Sequence, residues 1–127
     1  MTLPPYADFL GLSVVGEGPA RHVTMPGGDH VLGRPGFLHG GAIAGLLEIA
    51  GMVALFDALG ENRPRVKPVN VTVDFMRGGR LVDTFAKGRV VRLGQRIANV
   101  AIDAWQDDPE RPIAAARMTL QLGPRGL

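Results

Sequence analysis

GFLHGGAIAGLLEIAGMVAL, residues 36–55, is the stretch on which the reading of this chain turns. Past the paired glycines it is apolar on every side, with one carboxylate, Glu48, in its midst. A helix without a polar face belongs in a core, not on a surface. The pattern predicts a helix over residues 41–59, closed by Gly60 as its C-terminal cap. The apolar run over 42–56 is about 15 residues long and interrupted by an acid, too short to cross a bilayer of ~30 Å. An ionised carboxylate is costly to bury. Glu48 therefore needs a purpose.

Outward from this helix the period changes. Val69, Val71, Val73 and Phe75 alternate with Asn70, Thr72, Asp74 and Met76, which predicts a half-buried strand. Further strands are expected at 84–93, 96–106 and 113–122, separated by Gly94-Gln95 and by the turn-rich stretch 107–112. On the N-terminal side we expect a short helix at 6–12 behind Pro4-Pro5. A strand pair at 12–15 and 21–25 and a loop at 30–37 follow it. Residues 62–68, with two prolines and three basic residues, read as a linking loop. One buried helix and an antiparallel sheet make an α+β domain, the sheet curling around one side of the helix and a partner subunit covering the rest.

Bulk properties narrow the class. At 127 residues the chain makes one domain spanning 1–127, with 46% apolar and 20% charged residues. The formal net charge of +2 is too small to argue for nucleic acid. There is no cysteine, which removes disulfides, thiolate metal sites and a cysteine nucleophile. The start, MTLPPYADFLGL, lacks the basic region and apolar core of a signal peptide, so the expected location is the cytoplasm, with no membrane association.

The helical neighbours of Glu48 are Ala44, Gly45, Gly51 and Met52. Each interior glycine costs about 1 kcal/mol against alanine, so small residues around the acid suggest close approach by a backbone or a ligand. A carboxylate enclosed there would be driven by desolvation toward the range of a general base. The alternative is a structural acid that meets an arginine or a backbone amide across an interface. At the helix start, His39-Gly40-Gly41 offers free N–H groups backed by the positive end of the helix dipole, suited to a carbonyl oxygen gaining charge. Gly40 and Glu48 lie eight residues apart, hence ~12 Å along one helix axis. If both act on one carbonyl, Glu48 must come from a second, antiparallel subunit.

Other chemistries find no apparatus. Ser13 is the only serine and lies far from the His39–Glu48 segment in sequence. His22, His30 and His39 show no metal-ligand spacing, so no metal is expected. No glycine-rich phosphate loop opens a helix. A carboxylate, an imidazole and an amide-lined helix start remain, equipment for directing water at an acyl carbonyl.

Gly36-Phe37-Leu38-His39-Gly40-Gly41, with Glu48 nine residues after the histidine, resembles the signature of hotdog-fold thioesterases of the phenylacetate-pathway (PaaI-like) type. The likeness extends to VTVDFMR (71–77), GRVVRLGQR (88–96) and IAAARMT (113–119). It implies an antiparallel sheet wrapped around one long central helix, a homodimer that often pairs again into a dimer of dimers, and hydrolysis of acyl-CoA thioesters. Coenzyme A enters as part of the substrate, with no separate cofactor. Carried onto this chain, the Gly40 amide polarises the carbonyl and His39 shapes the site. Glu48 of the partner subunit acts as base or nucleophile. The asparagine common in the family six residues before the histidine is Gly33 here, and the assisting Ser or Thr aligns with Pro68. Asn70 is the nearest substitute.

Gly41, Phe37 and Met52 are expected to line the substrate site, and Arg77, Arg80, Arg92 and Arg96, which flank turns around the strands, to meet the phosphates of coenzyme A. Trp105 reads as a packing residue. Two other functions stay open beside hydrolysis of an aryl- or fatty-acyl-CoA: a non-catalytic acyl-CoA binding protein, and a hydratase or dehydratase of the same fold.

Overall fold

The computed structural model describes residues 2–124. Two helices, α1 (Pro5–Leu10) and α2 (Gly40–Leu59), accompany six strands: β1 (Ser13–Val15), β2 (His22–Met25), β3 (Val66–Phe75), β4 (Thr84–Leu93), β5 (Ile97–Trp105) and β6 (Ala114–Leu122). The strands form one antiparallel sheet in the order β1-β2-β4-β5-β6-β3, which leaves β3 at an edge. Short 3-10 turns at Gly18–Ala20 and Asp29–Val31 fill the N-terminal connections.

Period-two burial fixes which face of the sheet meets the helix. Ala98, Val100, Ile102 and Ala104 of β5 and Ala114, Ala116, Met118, Leu120 and Leu122 of β6 are buried beneath α2. From the helix, Leu46, Leu47 and Leu55 are fully buried, each stabilising by about 2 kcal/mol. At 20 residues α2 is longer than the apolar run read from sequence and meets the length criterion for crossing a membrane. Its burial against the sheet makes it a core helix.

The glycines of α2 are sockets for this packing. A Cβ on Gly51 would stand 2.8 Å from Met118 Sδ, and one on Gly45 2.7 Å from the Tyr6 ring of α1. On the facing strand, a Cβ on Gly88 would meet the Ala50 carbonyl at 3.0 Å. The close approach expected around Glu48 is real, but the groups that approach at Gly45 and Gly51 are the chain's own side chains.

The boundary that differs most from the sequence reading is the start of β3. Residues 66–68, expected in a linking loop, already belong to β3. Pro68 is tolerated because β3 is an edge strand, where a missing N–H costs no ladder bond on the open side. A bulge between Pro68 and Asn70 follows, with Val69 left exposed.

Candidate active site

Three backbone anchors hold the segment leading into α2. Leu38 N–H donates to Gly79 O (2.9 Å), His39 N–H to Val31 O (2.8 Å), and Leu81 N–H to Gly36 O (3.2 Å). The 76–83 loop, which provides the Gly79 acceptor and the Leu81 donor, is itself braced. Gln106 bonds both backbone groups of Arg80 and donates to the hydroxyl of Thr84, the one buried polar side chain among the described residues.

His39 is the N-cap of α2. Its carbonyl accepts from Ala42 N–H (3.0 Å) and Ile43 N–H (3.2 Å), and its Nδ1 accepts from Gly41 N–H at 2.9 Å. A neutral imidazole accepting at Nδ1 carries its proton on Nε2, so the outward nitrogen is a donor. This corrects the expectation of several free amides at the helix start. Of the first four helix N–H groups only that of Gly40 lacks a protein acceptor among the described residues. Gly41 is glycine so that the cap can form, since a Cβ there would lie 3.0 Å from His39 Nδ1. Beside Gly40 stands the Phe75 ring, 3.6 Å from where a Cβ would be. Phe75, which sequence reasoning did not assign to the site, is 56% exposed.

Glu48 projects from the exposed stripe of α2 that also carries Gly41, with Ala44 and Met52 half-buried on the same side. It makes no hydrogen bond or ion pair with any described residue. The desolvation expected of this carboxylate is thus not supplied within one chain. The ~12 Å of helix axis between Gly40 and Glu48 stands, too far for both to act on one carbonyl.

The remaining candidates separate. Phe37 is half-buried, with the Arg34 guanidinium 4.5 Å from its ring centre and Gly78 pressed against its edge. Arg77 lines a polar cleft of 280 Å³ with Arg80, Asp107 and Arg111, at the end of the sheet where α2 begins. Arg92 and Arg96 flank the β4–β5 turn at the opposite end, roughly 30 Å away along the ten residues of β4. One protomer cannot apply all four expected arginines to one ligand. Asn70 faces away from α2: it is paired with Thr119 on the outer face and accepts the Thr72 hydroxyl at 3.3 Å. It cannot replace the side chain missing at Pro68. At Gly33 a Cβ would lie 2.9 Å from His39 Cα, so the loop is closed around a glycine and has no room for asparagine. Trp105 packs on the outer face against Phe85 and His22.

A long helix embraced by a six-stranded antiparallel sheet, with a glycine amide exposed at its capped start, defines a hotdog fold. The chain belongs to the thioesterase superfamily, whose profile matches residues 35–113. Solved structures share the fold. A thioesterase mutant from Pseudomonas aeruginosa is 26% identical, with a TM-score of 0.83 over 94% of this chain and 86% of that one. A protein from Chromobacterium violaceum is 34% identical at a TM-score of 0.73, covering 93% and 82%. The phenylacetic acid degradation-related protein of Ralstonia eutropha, 21% identical, matches at 0.81 over 96% and 92%, a likeness of fold. No curated protein matches. Membership in this superfamily supports a thioester hydrolase.

Proposed function

We propose that the chain hydrolyses aryl- or fatty-acyl-CoA thioesters as a cytoplasmic homodimer with its active sites shared between subunits. The observation that carries this reading is the pairing of one free amide, Gly40, at a capped helix start with one exposed acid, Glu48, on the same helix but out of its reach. Two antiparallel copies of α2, side by side, bring each Gly40 to the Glu48 of the partner subunit. The edge strand supports such pairing: Pro68 and the bulge blunt its beginning, while 71–75 runs unbroken and Phe75 is exposed. A dimer of dimers is a further step of the same reading.

In this arrangement the thioester oxygen accepts from Gly40 N–H, with His39 Nε2–H as a second donor, where charge develops in the transition state. Glu48 of the partner subunit removes a proton from water as the oxygen attacks the carbonyl carbon. The tetrahedral intermediate collapses with cleavage of the C–S bond. Coenzyme A leaves as thiol after taking up the proton, and the acyl group leaves as its acid. Attack by the carboxylate itself, through an anhydride that water then opens, gives the same products. Arg77 of one subunit, with Arg80 and Arg111 beside it, lies at the Gly40 end and suits the phosphates of coenzyme A. Arg92 and Arg96 reach that ligand only from the partner subunit.

Gly33 and Pro68 favour a second reading, an acyl-CoA binding protein without turnover, because neither supplies the side-chain hydrogen bond seen in the family. Thiol release from a panel of aryl- and fatty-acyl-CoAs, measured beside Glu48→Ala and Glu48→Gln, separates the two. The enzyme reading requires release that both substitutions abolish. Binding without release supports the second.

A further inference from the structure

α1 carries two large rings that its short contact with α2 does not cover. Tyr6 is 48% and Phe9 63% exposed, and the two stack with ring centres 6.2 Å apart. Tyr6 is nevertheless placed closely. A Cβ on Gly45 would stand 2.7 Å from Tyr6 Cε2 and 3.3 Å from its hydroxyl oxygen, so the glycine admits the phenol edge onto the helix surface. That hydroxyl has no hydrogen-bond partner among the described residues. Gly45 lies three residues before Glu48, one turn toward the N-terminus. Cβ positions at that spacing are about 5–6 Å apart. A helical side chain leans over the turn N-terminal to its own Cα, so the Glu48 carboxylate sweeps the surface where the Tyr6 hydroxyl stands.

We infer that Tyr6 is a positioning residue for Glu48: its hydroxyl donates to the carboxylate and fixes the rotamer in which the acid meets substrate. The inference rests on the reading of Glu48 as the catalytic acid. It gives the site the hydroxyl donor that Pro68 does not provide and that Asn70, on the far face of β3, cannot. It also gives a reason for glutamate, whose extra methylene over aspartate extends the carboxylate toward the phenol.

Tyr6→Phe keeps the ring in the Gly45 socket and removes only the donor. Thiol release is measured for wild type, Tyr6→Phe, Glu48→Asp, the double variant and Glu48→Gln, with unfolding midpoints recorded for each. We expect Tyr6→Phe to lower kcat about tenfold with KM within about twofold and the midpoint unchanged. In the Glu48→Asp background, where the carboxylate is withdrawn, the same change costs less than about twofold. Phe9→Ala, which removes the stacked ring but no donor, leaves kcat within about twofold. An unchanged kcat in Tyr6→Phe, or an equal loss in both backgrounds, overturns the inference. Full activity in Glu48→Gln overturns instead the reading on which it rests.

Discussion

Gly41 donates its backbone N–H to Nδ1 of His39 at 2.9 Å, and this bond decides what the helix start can do. It closes one amide, directs the imidazole proton to Nε2, and leaves the amide of Gly40 as the open donor. The cap and the proposed oxyanion site are therefore one piece of geometry, and substitutions at His39 separate its two roles. Asparagine retains an N-capping oxygen but loses the Nε2–H donor. His39→Asn is expected to keep stability within about 0.5 kcal/mol, whereas His39→Ala loses about 1 kcal/mol. Both lower kcat for thiol release, checked by urea unfolding alongside steady-state kinetics.

At Gly40 stability and activity are expected to part. The site has ordinary contact distance to Phe75 for one methyl group, 3.6 Å. Gly40→Ala should fold with unchanged or slightly higher stability, the gain bounded by about 1 kcal/mol of helix propensity. The added methyl occupies the approach to the amide, so kcat/KM falls by about a hundredfold or more. A thermal melt and a rate on the same preparation check both halves.

Restoring the family's asparagine should fail here. Gly33→Asn drives a Cβ to 2.9 Å from His39 Cα and 3.0 Å from its backbone nitrogen. Overpacking against backbone costs about 1–3 kcal/mol and displaces the cap. The expected result is a lowered unfolding midpoint with no gain in thiol release.

The core prediction is ordinary by contrast. Leu55, fully buried on α2, should cost about 2–5 kcal/mol when replaced by alanine, read from the denaturant midpoint at unchanged slope.

The elements with an unbroken period were legible in the sequence. The 84–93 strand has the boundaries its pattern predicts, β5 is one residue shorter at each end, and β6 starts one residue later. The start of β3 was hidden by Pro68, because proline argues against a strand unless the strand is known to lie at an edge, which is a tertiary fact. The surroundings of Glu48 were legible only in part. Helical spacing named Gly45 and Gly51 as its neighbours but could not say that Tyr6 and Met118 fill them. An all-apolar helix likewise does not reveal which stripe its own sheet leaves open. The separation of Arg77 from Arg92 and Arg96 was within reach of the sequence, since a ten-residue strand divides them. Grouping by charge alone missed it.

The central claim is that one chain's Gly40 works with the partner's Glu48, and mixing two inactive variants tests it directly. Gly40→Ala and Glu48→Gln proteins are refolded together in equal amounts and assayed for thiol release. Heterodimers then contain one site with both native groups, and activity returns to about a quarter of wild type. If the two groups serve the same chain's site, every site in the mixture is defective and activity stays at the level of the separate variants. That result would contradict the account.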